Sequence, residues 1–187
     1  MDSYLQQVCE AIASATAGMS EAHFQWHPEG KWSTALIVEH LWLTYCATTI
    51  ALDRCLQVGK TATTTPTLSM RMYAFVVLKL EHLPAGRPAP PGTIPKGAPL
   101  EMVMARIPGD IAAMDEAIRR CEERLGSREK LVDNPVLGPL TAAEWRKFHW
   151  LHAQHHTRQI ERLKQDLLRA NPAPGSALDH LTAGGPS

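Results

Sequence analysis

The 187-residue chain has no excess of either charge: 19 Lys plus Arg stand against 19 Asp plus Glu, for a formal net charge of zero. That balance argues against a nucleic-acid binder that works through a basic surface. Long apolar runs are lacking too. No unbroken run reaches the roughly 18 residues of a membrane span. The opening stretch, "MDSYLQQVCEAIASATAGMS", has no basic n-region and carries an acid at Asp2, so it does not read as a secretory signal. The four cysteines, Cys9, Cys46, Cys55 and Cys121, are scattered and make no CxxC pair. They read as reduced, mostly buried thiols in a cytoplasmic protein; a reactive thiol is weighed only for Cys55. Internal repeats and clear strand signals are missing as well. What remains, at this length, is one domain with a full hydrophobic core.

Helical patterns fill most of the chain. Leu5, Val8, Ile12 and Ala15 recur at helical spacing, predicting a helix over 2–17 with Gly18 as its stop. A connector with the breakers Pro28 and Gly30 follows. Ser33 then caps "TALIVEHLWLTYCATTIALDRCLQ", residues 34–57, which is apolar almost all round and so reads as buried between other helices. Residues 68–83 read as a helix by length and neighbours. "PAGRPAPPGTIPKGAP", residues 84–99, is too rich in Pro and Gly for regular structure. A helix over 99–126 opens at Pro99 and ends at Gly126, and Pro108-Gly109 is expected to kink or split it. "SREKLVDNPVLGPL" reads as a turn-rich approach. "TAAE" then forms a capping box, Thr141 with Glu144, for a last helix that runs to Asn171-Pro172. The expected architecture is an all-α, four-helix bundle with long crossover connections over residues 1–170, followed by a loosely held tail, 171–187.

What stands out is "FHWLHAQHHTRQI", residues 148–160, with four of the nine histidines. At about 100° per residue, His152 and His156 fall at the centre of the stripe that Trp145, Phe148 and Leu163 mark as core-facing. They are an i, i+4 pair, one turn apart on one face, a spacing that lets two imidazoles bind one metal ion. Without an ion, each ring needs its own hydrogen-bond partner in an apolar interior. The third ligand is expected from His40, set inside an apolar stretch among Leu36, Ile37, Leu41 and Leu43. A lone histidine there is more often a hydrogen-bonded core residue; a second inward-facing imidazole source shifts the balance. Three neutral histidines with an open position make a catalytic-type site. Imidazole suits Zn, Ni, Fe or Cu; Zn or Ni is the expected divalent ion, with Fe and Mn behind. His149 with His152, at i, i+3, is the competing ligand pair. His149 is otherwise placed as a cavity-lining proton-transfer group, and Gln159 as a group that orients a ligand or substrate, or simply packs. His155 sits at the edge of the stripe and is expected to pack or hydrogen-bond. His23, His27, His82 and His180 are expected at the surface.

"GKWSTALIVEHLWLTY" and "NPVLGPLTAAEWRKFHWLHAQHHTRQI" resemble two helix signatures of the DinB-like superfamily: a Trp-Ser start with an apolar run ending in His-Leu, and Gly-x-Leu-Thr followed by Glu-Trp and His-x-x-His-His-x-x-Gln. The likeness is nearest to a DinB-related bacterial branch and spans residues 2–169. It implies a metal held by His40, His152 and His156, the same three residues reached above, and a homodimer formed by helices packed side by side. The Pro-rich segment and His149 are not part of the motif. The resemblance also implies a metal-dependent transferase that uses a low-molecular-weight thiol on a small electrophilic substrate. A hydrolase using an activated water is the second expectation, weakened by the lack of a placed carboxylate, because Glu39 points about 100° away from His40. A non-catalytic metal-binding bundle is the third.

Overall fold

A computed structural model of the chain describes residues 1–61, 63–84 and 86–170. The expected tail, 171–187, lies outside the described residues. Among those described, the secondary structure is six α-helices, one 3₁₀ turn and one two-stranded hairpin, an all-α fold in class.

Each long helix starts and stops for a local reason. Helix α1 (Ser3–Thr16) is capped by Asp2, whose carboxylate accepts the Tyr4 N–H at 2.9 Å. It buries Leu5, Val8, Ile12 and Ala15, the predicted stripe. The short helix α2 (Glu21–Gln25) falls in the stretch expected to be a connector; Ser20 caps it, and His23 returns to the Ser20 backbone N–H. Helix α3 (Thr34–Val58) is capped by Ser33 and ended by Gly59 at φ +72°, a left-handed conformation that costs a glycine little. Helix α4 (Leu68–Leu78) is shorter than the predicted 68–83. The 3₁₀ turn Pro91–Thr93 interrupts the segment expected to hold no regular structure. Helix α5 (Leu100–Leu125) runs unsplit through Pro108. A proline removes one backbone hydrogen bond, and Ile107 and Ile111, buried on either side of it, hold the flanking turns in the core.

The approach expected to be turn-rich is a hairpin: β1 (Val132–Asn134) pairs antiparallel with β2 (Gly138–Leu140). The Asn134 side chain accepts the N–H groups of Val136 and Leu137, and Gly138 takes φ +76° at the close of the turn. Helix α6 (Ala142–Ala170) opens on the predicted capping box. The Glu144 carboxylate accepts the Thr141 N–H at 2.8 Å, and the Thr141 hydroxyl accepts the Glu144 N–H at 3.3 Å.

Helix α3 packs along α5 and α1 along α6, with further contact between α1 and α5, α3 and α6, and α5 and α6. One core fills the space between them, including Leu5, Val8, Leu41, Tyr45, Ile111, Met114, Ile118 and Ile160. Arg146 ties α6 to α5 through Asp115 at 3.3 Å and Glu122 at 2.8 Å. Helix α3 is, by length and composition, long and apolar enough to cross a membrane, although no unbroken apolar run in it reaches that length. The count of unbroken runs misses it because Glu39 and His40 interrupt the run. In the fold these two residues face inward and are buried. Helix α3 is not covered on all sides, however: Ile50 and Val58 are exposed.

Because Ile111 is fully buried at the middle of α5, Ile111→Ala should destabilise the protein by about 2–5 kcal/mol. Chemical denaturation monitored by circular dichroism measures this, and a loss below about 1 kcal/mol would contradict the packing described.

Candidate metal centre

Two helices and one loop build the centre. Helix α6 presents His152 and His156 one turn apart, and α3 brings His40 to meet them. All three rings are buried. His40 Nε2 lies 3.2 Å from His152 Nε2, and His156 Nε2 lies 3.1 Å from the same atom. The three ligand nitrogens fall within 4.8 Å of one another. Nitrogens at about 2.0–2.1 Å from a tetrahedral ion stand about 3.3–3.4 Å apart, so both contacts are within a few tenths of an ångström of that edge.

The proton inventory shows why an ion fits. His40 Nδ1 donates to the Thr93 carbonyl at 2.7 Å, and a carbonyl can only accept. Neutral His40 therefore carries its proton on Nδ1 and turns a bare lone pair on Nε2 toward His152. His156 Nδ1 donates to Gln159 Oε1 at 2.8 Å, so its Nε2 is bare as well. His152 has one proton at most to offer and two lone pairs facing it. Whichever of its nitrogens holds that proton, at least one contact sets lone pair against lone pair. Its Nδ1, buried, has no partner among the described residues. A cation at the meeting point satisfies all three nitrogens at once, a fit that rests on the donor set itself.

Burial also keeps these rings neutral. His40 is held below the ordinary value of 6.5 by desolvation. His152 is pushed well below it, first by burial and then by the neighbouring imidazoles of His156 and His40. Burial takes His156 down to about 3, helped by His40 and His155. Metal ligation needs unprotonated imidazole, and the fold supplies it in advance. Trp32 lies tilted against His40 at 5.2 Å between ring centroids, and Phe148 stacks on His152 at 5.4 Å, so aromatic rings wall the cluster.

The remaining predicted residues fall elsewhere. Gln159 bridges His156 and His155, since its Nε2 donates to His155 Nε2 at 3.1 Å. His155 is thus hydrogen-bonded at the edge of the cluster, as read from the helix wheel. His149 stands outside it. Its ring is fully buried, stacks on Trp145 at 5.6 Å, meets Tyr45 edge-on at 5.5 Å, and has no hydrogen-bond partner on either nitrogen among the described residues. The His149–His152 pair is therefore not the set that gathers a third ligand. His27 and His82 are exposed and His23 half-exposed, while His180 lies outside the described residues. All four cysteines are free, and Cys55 is buried.

One participant, the Thr93 carbonyl, is absent from the sequence reading, and another, Glu39, enters it only as a carboxylate that points away from His40. The Thr93 carbonyl left no signal, because a backbone oxygen is not encoded by residue type. Glu39 did leave one: a carboxylate inside an apolar run, beside His40. It is buried, and its oxygens accept the backbone N–H groups of Lys96, Gly97 and Ala98 at 2.8, 2.8 and 3.0 Å.

The chain belongs to the DUF1569 family, described as a protein of unknown function, whose family model matches residues 4–163. That span contains all three clustered histidines. No curated protein and no solved structure matches the chain.

The depressed imidazoles set a pH dependence. The unfolded chain binds protons at these histidines below about 6.5, whereas in the folded metal-free protein burial lowers all three rings, with His152 taken well below that value and His156 to about 3. Folding therefore excludes protons, and stability falls as pH drops from 6.5 toward 5, by on the order of 1 kcal/mol per pH unit for each such ring. Denaturation of chelator-treated protein at pH 7, 6 and 5 tests this; a flat profile would contradict neutral, buried rings.

Proposed function

We propose that this chain is a divalent-metal-binding protein of the DinB-like type, in which α1, α3, α5 and α6 form the four-helix bundle and His40, His152 and His156 hold the ion. The single observation that carries the reading is the convergence of bare Nε2 lone pairs with too few protons to pair them. Zn or Ni is the ion we assign first, with Fe and Mn next, on the all-imidazole donor set.

A divalent ion held there supplies Lewis acidity, which lowers the pKa of a thiol or of water. The chain's own groups do the rest. Thr93 and Gln159 aim two of the rings, while Trp32 and Phe148 shield the cluster from bulk water. On this basis we read the protein as an enzyme of the thiol-dependent S-transferase type that acts on a small electrophile. The motif likeness supports that choice over hydrolysis, and so does the use of Glu39. Its carboxylate is engaged by three backbone N–H groups, and among the described residues the cluster contains no carboxylate to serve as general base. A bundle in which the ion only stabilises the fold is the remaining reading. The proton-transfer role read for His149 is part of this proposal and is carried only by its place one turn before His152.

We also place the protein in the cytoplasm, with no nucleic-acid or membrane partner, as a homodimer. Its balanced charge supports the lack of a nucleic-acid partner, and the exposed apolar Ile50 and Val58 on α3 support the dimer.

Elemental analysis of protein purified without chelator should find one divalent ion per chain. His152→Ala should abolish it and His155→Ala should retain most of it; equal retention would refute the ligand set. In the cobalt-substituted protein, a low-molecular-weight thiol should shift the visible spectrum. Thiol-independent ester or amide turnover would favour hydrolysis instead. Unfolding on chelation with neither activity would favour the structural role.

A further inference from the structure

Glu39 is an expensive residue to bury. It is 3 % exposed, and among the described residues no Lys or Arg pairs with it. An apolar side chain would serve packing at lower cost. What it does instead is gather three successive N–H groups, Lys96, Gly97 and Ala98, from the Pro-rich segment. Successive N–H groups converging on one anion are a strong, oriented contact. The segment suits this use. Pro91, Pro95 and Pro99 restrict its φ angles, and Gly97 takes φ +83° where the chain folds over the carboxylate. Three residues before the gripped amides, the Thr93 carbonyl meets His40 Nδ1 at 2.7 Å. Glu39 and His40 are neighbours on α3, so one helix turn grips the same segment twice, once by carboxylate and once by imidazole.

We infer that Glu39 is a positioning residue: it fixes residues 91–98 so that the Thr93 carbonyl locks His40 in the tautomer whose bare Nε2 faces His152 and His156. The inference rests on the metal-binding reading and goes beyond it, since it assigns the Pro-rich segment a task. That segment is a ligand-orienting strap rather than a spacer between α4 and α5. Carboxylates or carbonyls that hold a ligating histidine usually act directly. Here the carboxylate acts at one remove, through the backbone.

Glu39→Gln tests it, because the amide keeps the size but turns an N–H₂ group toward backbone N–H groups. Zn²⁺ affinity, measured by competition with a chromogenic chelator, should fall about 10- to 100-fold. In the metal-free variant, ¹⁵N spectra of the histidine rings should show His40 losing its fixed Nδ1–H form for a mixture of tautomers. A variant that melts earlier but keeps the wild-type tautomer and Zn²⁺ affinity would show a purely structural role and overturn the inference. If wild-type protein binds no Zn²⁺, the metal reading fails, while the tautomer comparison still decides whether Glu39 sets His40. If Glu39→Gln does not fold, hydrogen exchange in the wild type decides. The His40 Nδ1–H and the amides of residues 96–98 should exchange through one common opening; independent exchange would overturn the coupling.

Discussion

Three imidazoles that face one another with too few protons are the constraint on which the site depends. A neutral histidine costs an apolar interior least when both ring nitrogens find partners. Here the outer nitrogens of His40 and His156 are satisfied, and that satisfaction strips their inner nitrogens of protons. Burial then denies the cluster the alternative of taking up protons from solvent. A cation placed among the lone pairs would relieve the shortage, and the three ligand atoms are close enough together to hold one. The rest of the fold bears on this through two fixed distances: the spacing of α3 from α6, and the seat of the Pro-rich segment over α3.

The long helices supply the first distance. Their packing leaves His40 and His152 with Nε2 atoms 3.2 Å apart although they are 112 residues apart in sequence. The capping box at Thr141 fixes where α6 begins, and therefore which residues of its heptad-like stripe face α3. Arg146, bonded to Asp115 and Glu122, holds the same end of α6 against α5. Gly59 and Gly126 end α3 and α5 where the chain must turn away.

Much of this was legible in the sequence because it has a period. The stripe of Trp145, Phe148, His152, His156 and Leu163 identifies the inward face of α6 from spacing alone, and Leu5, Val8, Ile12 and Ala15 do the same for α1. Capping residues gave helix starts to within a residue or two. The misses have separate causes. The hairpin at 132–140 is held by the Asn134 side chain and Gly138, a turn too local to show as periodicity. Pro108 suggested a break, but one lost hydrogen bond is outweighed by the buried residues around it. The membrane-length character of α3 was hidden by Glu39 and His40, the two polar residues that matter most to the site. The Pro-rich segment looked structureless because its order comes from backbone N–H and C=O groups gripped by distant side chains, which composition does not reveal.

Membership of the DUF1569 family places the chain among proteins whose activity is open, and the histidine cluster gives that question a physical starting point. X-ray absorption at the metal edge of the purified protein is the most direct test. The account predicts a stoichiometric divalent ion with three imidazole scatterers at about 2.0–2.1 Å. An ion held mainly by carboxylate or thiolate ligands, or none retained when Zn²⁺ is supplied, would contradict it.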